Sequence, residues 1–443
     1  MELAISKIAT KGKYNDYHFM SLFLSVGLIC LTPFTTPYLS WVAFGIQIIR
    51  LLGCSVETFL IDLACLLPFS NIFREPGGKT LYSVLILVAC AYFVLSGKFK
   101  PNVSLAWCIV LFGYMLTRSV TNFITSLIIL SGILIIGLTC TFITRENASI
   151  IAKVNIFSVL FASVYGYIFK DNNALINYTR DPALTQYGSD AVRFKGLFQD
   201  PNYYASIIII ALALTIVLYI IKELDLISFI VGFAGFTIFG FMTYSKTFLI
   251  IYIVACFFYM AVSVKRKRFL LLFILVLLFL IIIFNFVSGK IEFFDVMRDR
   301  FGESGDLNGF TTGRADTWEG YLQYIFSDAK VMIFGATLGA PLVNGVGTHN
   351  LVIEILYYAG IIGLILFVCF FWSVITDAIK NNSNSVKREG VMKYVIIIMF
   401  VMFYFSLQAL FFSTMYMQWI LVVVGVLLSC SNINFKQKSS INE

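Results

Sequence analysis

Charge is scarce in this chain: Asp, Glu, Lys and Arg make up 13% of its 443 residues, where an ordinary soluble domain carries roughly 25%. With 59% hydrophobic residues and a mean hydropathy of +0.89, no soluble core of this size could use so much apolar sequence. Histidine is scarcer still. His18 and His349 are the two present, and they are expected on opposite faces, so a histidine-rich metal site is excluded. The nine cysteines fall in or at the ends of apolar runs without C-x-x-C spacing, which leaves disulfide and zinc readings without support. The sequence also lacks a fixed-period repeat, a low-complexity linker and an A-x-A-like cleavage site after its first apolar run. One polytopic domain over 1–443 is the default.

What is present is apolar length. Ser206 to Ile221, Phe269 to Val287 and Leu351 to Ile375 approach or exceed the roughly 18 to 20 apolar residues that cross a bilayer. The pattern predicts an all-α membrane helix bundle with spans near 19–33, 38–50, 56–70, 80–96, 104–118, 124–143, 151–169, 203–222, 226–243, 248–264, 269–287, 351–373, 394–411 and 415–430. That is fourteen spans, or twelve if a hairpin among the early segments interrupted by Pro33, Pro37 and Pro68 is re-entrant.

The net charge of +8 is topological and gives no sign of nucleic acid. With the N-terminus inside, the inner connections collect Arg50, Lys98, Lys100, Arg145, Lys153, Lys222, the run Lys265 to Arg268, Lys380, Lys387, Arg388, Lys393, Lys436 and Lys438, as positive residues do on the cytoplasmic side. Both termini are then cytoplasmic, in an inner membrane. Two long loops, Lys170 to Asn202 and Ser288 to Asn350, lie outside. They exceed what connection requires, which makes them functional candidates. Within the second, Asp316 to Phe326 places Trp318, Leu322, Ile325 and Phe326 at helical spacing, the pattern of an amphipathic helix on the membrane face.

Candidate residues sit at the loop ends. His349, followed by Asn350 where the second loop enters a helix, reads either as an interfacial histidine or as a general base, since an imidazole of pKa near 6.5 can take a hydroxyl proton at neutral pH. Pro201 and Asn202 suit a helix start with Asn202 as N-cap, whose amides, with Arg193 and Lys195, offer a phosphate a resting place. Arg314 stands where a positive charge opposes the helix dipole, so helix stability does not explain it. Arg298 and Arg300 flank Asp299, which can pair with either. Lys246, in the outer turn Thr243-Tyr244-Ser245-Lys246-Thr247, either snorkels to the interface or faces an anionic headgroup. Asp62, inside the third span, is costly unless paired, and reads as structural glue or as part of a transport path.

Taken together, Arg193-x-x-Gly196-x-x-x-x-Pro201-Asn202-x-x-Ala205, Gly313-Arg314-x-x-x-Trp318 and His349-Asn350 with nine residues before Gly360-x-x-Gly363 resemble the O-antigen ligase and O-antigen polymerase superfamily, over roughly Arg193 to Leu364. The resemblance implies a lipid-donor glycosyltransferase architecture of the GT-C kind with a periplasmic active site. It implies an undecaprenyl-diphosphate-linked oligosaccharide as donor, an acceptor sugar hydroxyl as nucleophile, and membrane lipids and a chain-length-regulating co-polymerase as partners. His349 takes the base role and Arg314 a catalytic one beside the diphosphate. Arg193, Lys195, Asn202, Lys246, Arg298 and Arg300 line the diphosphate and glycan. The family often has Ser-Arg where this chain has Ser245-Lys246, and lysine loses the bidentate fork. Fixed Arg and Lys donors can stabilise a leaving diphosphate without a metal, and no D-x-D pair marks the outer loops, so no metal or other cofactor is expected.

Two acceptors are compatible with one donor site. A polymerase extends the glycan on another lipid-diphosphate repeat unit, and a ligase moves it to lipid A core. Phe198-x-Asp200-Pro201-Asn202-Tyr203 favours the polymerase, while the His349 to Gly363 pattern keeps the ligase open. A lipid-linked oligosaccharide flippase is the reading from another class, but such transporters place charge along a midplane cavity and have short outer loops.

Overall fold

A computed structural model of the chain describes residues 16–76, 80–118, 123–181, 192–198, 200–246, 248–253, 314–338, 340–381, 420–425 and 427–428. These residues are predominantly helical. The helices are α1 (Asp16–Leu31), α2 (Tyr38–Gly53), α3 (Val56–Leu66), α4 (Leu81–Leu95), α5 (Val103–Thr117), α6 (Phe123–Thr139), α7 (Arg145–Ile168), α8 (Pro201–Ile220), α9 (Leu226–Phe241), α10 (Arg314–Ser327), α11 (Ala329–Phe334) and α12 (Leu351–Asn381). Each of the first nine expected spans, and the one at 351–373, is a helix. The spans expected at 269–287 and 394–411 lie outside the described residues, as do most of the one at 248–264 and half of the one at 415–430.

Side-chain oxygens start the helices where the chain leaves an extended conformation. Ser55, Asn102, Thr144 and Asp225 accept the backbone N–H of Thr58, Leu105, Asn147 and Ser228, each answering one of the amides a helix start leaves without a partner. Proline marks the interruptions. Pro33 lies in a 3-10 turn after α1, and Pro68 in another, Leu67–Phe69, directly after α3. The expected span at 56–70 is therefore an eleven-residue α-helix, about 16 Å long at 1.5 Å per residue and roughly half a bilayer core.

The bundle is assembled from neighbouring pairs: α1 on α2, α3 on α7, α4 and α5 on α6, α7 and α9 on α8, and α12 along α5. α7, α8 and α12 are long and apolar enough to cross a membrane, and α2, α4, α5 and α9 are shorter apolar helices. α8 is buried along most of its length, from Pro201 to Leu218, so its N-terminus is fixed by the whole core.

The buried carboxylates Asp62 and Asp377 each find a donor. Arg50 grips Asp62 with Nε to Oδ2 at 2.8 Å and Nη2 to Oδ1 at 2.6 Å. Both side chains are almost wholly buried, and Arg50 also donates to the His18 carbonyl and Ser21 Oγ. Asp62 is structural glue joining α1, α2 and α3. At the far end of α8, Glu223 pairs with Lys153 at 2.9 Å, and near the far end of α12, Asp377 accepts the Ser104 N–H at 2.8 Å.

α12 is interrupted. Gly360 has φ 66° and ψ −169°, a conformation open to glycine and strained for other residues. A Cβ there would stand 2.3 Å from the Ile333 carbonyl oxygen of α11. The carbonyls released by the break find other donors: Ala336 N–H meets Tyr357 O at 2.6 Å, and the Tyr114 hydroxyl meets Ala359 O at 2.7 Å. Arg118 Nη2 meets the neighbouring Gly335 O at 2.7 Å.

α10 corrects the expected amphipathic stripe. Its buried face is Tyr321 and Ile325, with Trp318 beside them, packed on Ile353 and Tyr357 of α12. Phe326 is 63% exposed, because one residue past Ile325 rotates about 100° away from that face.

Candidate functional site

The segment entering α8 is held on both sides. β1 (Arg180–Asp181) pairs antiparallel with β2 (Arg193–Phe194), Asp181 opposite Arg193. Phe194 N–H donates to Met242 O and Lys195 N–H to Thr179 O, both at 2.9 Å. Gly196 then takes φ 60°, and a Cβ on it would meet the Tyr204 ring at 2.5 Å, so backbone angle and space both require glycine. The ring is fixed in turn: its hydroxyl donates to Ser163 Oγ at 2.7 Å, Phe194 meets it edge-on and Phe198 stacks on it.

Asp200, not Asn202, is the N-cap of α8, and its carboxylate accepts the N–H of Asn202 and of Tyr203. Pro201 occupies the first helical position, where its fixed φ is pre-organised, and this moves the cap one residue before the proline. The correction removes the expected phosphate rest, because the Asn202 and Tyr203 amides are bonded to Asp200 and a carboxylate stands in front of them.

Asn202 has another task. Its Oδ1 accepts Arg193 Nη2 at 3.2 Å and Ser245 Oγ at 2.9 Å. Arg193 further donates Nε to the Thr243 carbonyl at 2.9 Å, and its Nη1 lies 3.8 Å from Asp181. Arg193 and Asn202 thus fasten the first loop to the turn after α9. Ser245 Oγ also accepts Phe248 N–H, and Lys246 between them is 8% exposed, which favours a cation held inward over one that snorkels. Arg298 and Arg300 lie outside the described residues.

The remaining site residues gather around the start of α8. Arg314, the first residue of α10, lies in the field of Asp200 and Tyr203, which opposes the lowering of its pKa by burial. Burial likewise lowers Lys195, against Asp181 and Asp200. Burial first, and then the Arg314 charge, hold His349 below its ordinary 6.5, with Asp200 pulling the other way. Two segments far apart in sequence, 193–203 and 314–349, therefore converge on one carboxylate.

The His349 backbone is unusual. Its φ is 46°, in the left-handed region, which costs a non-glycine residue on the order of 1 kcal/mol. Both neighbours are pinned. Thr348, 4% exposed, exchanges hydrogen bonds with Asn350, and Asn350 Oδ1 caps α12 by accepting the N–H of Val352 and Ile353. Strain maintained by its surroundings is a mark of functional loops.

Chemically, the site offers a neutral imidazole at neutral pH, the half-buried cations Arg314 and Lys195, and a carboxylate, Asp200, whose field acts on all three. Such a set can accept a proton from a hydroxyl and receive an anionic leaving group. Sequence reasoning used Asp200 in a pattern but passed over it as the cap, although Asp-Pro before an apolar helix is a cap signal. It also gave Tyr203 and Glu354 no role in the site. Glu354 is buried in the first turn of α12, with its charge acting on Tyr321. Comparison of the chain with protein-family models, with curated proteins and with solved structures finds no match.

Proposed function

We propose that the chain is a polysaccharide polymerase of the bacterial inner membrane, joining undecaprenyl-diphosphate-linked repeat units on the periplasmic face by metal-independent glycosyl transfer. The observation that carries this reading is that Arg314, His349 and Lys195 all lie in the field of Asp200 at the start of α8, and that the Arg314 charge acts on His349. In the proposed reaction His349 accepts the proton of the acceptor hydroxyl as that oxygen attacks the anomeric carbon. The bond to the donor diphosphate breaks, and Arg314 and Lys195 receive its charge. Arg193 and Asn202 act by holding the first loop against Ser245 and Lys246, a fastening role that their hydrogen bonds favour over direct contact with substrate. The charge pattern of the connections supports cytoplasmic termini, and the pairing of Asp62 with Arg50 supports an enzyme over a flippase.

The ligase reading keeps support from the strained His349-Asn350 entry to α12 and the break at Gly360, which are the residues of the ligase-like pattern. One experiment separates the two. Wild type, His349→Ala and Arg314→Ala are expressed in strains lacking each candidate enzyme, and the lipopolysaccharide ladder is examined. Conversion of single-repeat product to a ladder by wild type identifies a polymerase, and transfer of free lipid-linked chains to core identifies a ligase. Both variants behaving as wild type at normal protein levels would remove the site assignment.

A further inference from the structure

α10 and the loop that carries His349 are bonded side chain to backbone at three points. The Trp318 indole N–H donates to Thr348 O at 2.8 Å, the Tyr321 hydroxyl donates to Val346 O at 2.8 Å, and the same hydroxyl accepts Val343 N–H at 3.2 Å. All three points lie within seven residues before His349, and the Trp318 bond is to the residue immediately before it. Along α10 the spacing Arg314, Trp318, Tyr321, Ile325 follows i, i+4, i+7, i+11, which puts all four on one helix face. Arg314 and the two loop anchors are therefore held at fixed separations by a single rigid helix.

The anchors are better suited to holding a conformation than to packing alone. Tyr321 is wholly buried, and a buried hydroxyl that both donates and accepts fixes two loop positions relative to one ring. Thr348 is bonded on one side to Trp318 and on the other to Asn350, which is itself tied into the cap of α12. His349 lies between these fixed neighbours in a backbone conformation that a free loop would leave.

We propose that Trp318 and Tyr321 are positioning residues for His349, locking the Val343–Thr348 segment so that the imidazole is presented to Arg314 and the start of α8. This deepens the polymerase reading and rests on His349 acting as proton acceptor. Arg314 and the base then move as one unit because one helix carries both the cation and the anchors of the loop.

The test uses the chain's two histidines. His18→Gln leaves a single histidine signal, and it keeps the His18 backbone carbonyl that Arg50 uses. Full-length chain labelled in histidine and held in lipid nanodiscs is titrated by NMR, with Trp318→Phe, Tyr321→Phe and Ile325→Val added singly. The two anchor variants keep an aromatic ring and lose the bonds, and Ile325→Val trims the same face while leaving all three bonds in place. The charged groups acting on the imidazole are Arg314 and Asp200, and none of the variants alters them. The expected result is that the anchor variants move the His349 titration upward toward 6.5, as the ring gains water and leaves Arg314, and that Ile325→Val leaves it in place. Turnover in the anchor variants falls about 10- to 100-fold with KM nearly unchanged. An unchanged His349 titration in both anchor variants, or an equal shift in Ile325→Val, overturns the proposal. Loss of the polymerase reading is seen separately: wild type then converts no lipid-linked glycan, whatever the titration shows.

Discussion

Gly196 provides a direct test of how the first loop is set. Gly196→Ala adds one methyl group in two unfavourable circumstances. The φ of 60° charges alanine about 1 kcal/mol or somewhat more for the left-handed region. The new Cβ would also stand 2.5, 2.6 and 2.8 Å from three atoms of the Tyr204 ring, and forcing atoms into a packed core costs about 1–3 kcal/mol. That ring is held by Ser163, Phe194 and Phe198, so the chain on the Gly196 side must move, and Lys195 and Asp200 move with it. Gly97 is the control, with φ 64° and nothing within 4 Å of the added atom, so Gly97→Ala carries the backbone strain alone. The expected totals are about 2–4 kcal/mol for Gly196→Ala and about 1 kcal/mol for Gly97→Ala. Thermal unfolding in detergent, read by a thiol-reactive dye reaching buried Cys30, Cys90 and Cys108, orders the two. Turnover is expected to fall in Gly196→Ala and to hold in Gly97→Ala. Equal melting temperatures for the two variants would refute the argument that Tyr204 is immovable.

Other expectations follow from the site and its frame. Because burial and Arg314 lower the pKa of His349 below 6.5, the neutral base is present throughout neutral pH, and kcat/KM should fall only as pH drops below 6.5. Arg314→Gln should shift that acid limb upward, and a limb that stays put would detach Arg314 from His349. By the same sign, folding stability linked to His349 is present above pH 6.5 and declines as pH falls, since the unfolded chain then binds the proton more readily. Arg50→Ala leaves Asp62 buried without its partner and should cost about 3–5 kcal/mol, while Arg50→Met with Asp62→Leu recovers most of it; the melting temperatures in detergent check both. Activity should persist in excess EDTA, and its abolition with restoration by a divalent cation would contradict metal-independent transfer.

Hydropathy located the helices well because each must bury or expose a long apolar surface, and that property is local. The misses have identifiable causes. α7 begins at Arg145, six residues before the expected span, because Thr144 caps a first turn whose Glu146 and Asn147 hide it from a hydropathy reading. α3 stops at Leu66 because Pro68 cannot continue a regular helix. α12 extends past its expected end to Asn381, beyond the apolar stretch, yet is broken at Gly360, where glycine at a backbone crossing looks in sequence like any helical glycine. At the site, Arg314 and His349 were legible as chemistry at loop ends, and Asp200 was obscured by the more familiar capping residue two positions on. The joining of Arg193 to Asn202, and of Trp318 to Thr348, depends on tertiary placement that no spacing encodes.

The interruption at Gly360 gives the segment Leu351–Ala359 a separate allegiance. About two and a half turns long, it acts as a strut: one end is the Asn350 cap beside the imidazole, and the other is clasped by the Tyr114 hydroxyl and by the Ala336 N–H, which donates to the Tyr357 carbonyl. The stiffness of the histidine's mounting is thus set partly at the tip of α5, by a tyrosine outside all three sequence patterns. Shortening that tyrosine to phenylalanine would loosen the strut at its distant end, and its effect would be felt at a ring it never touches.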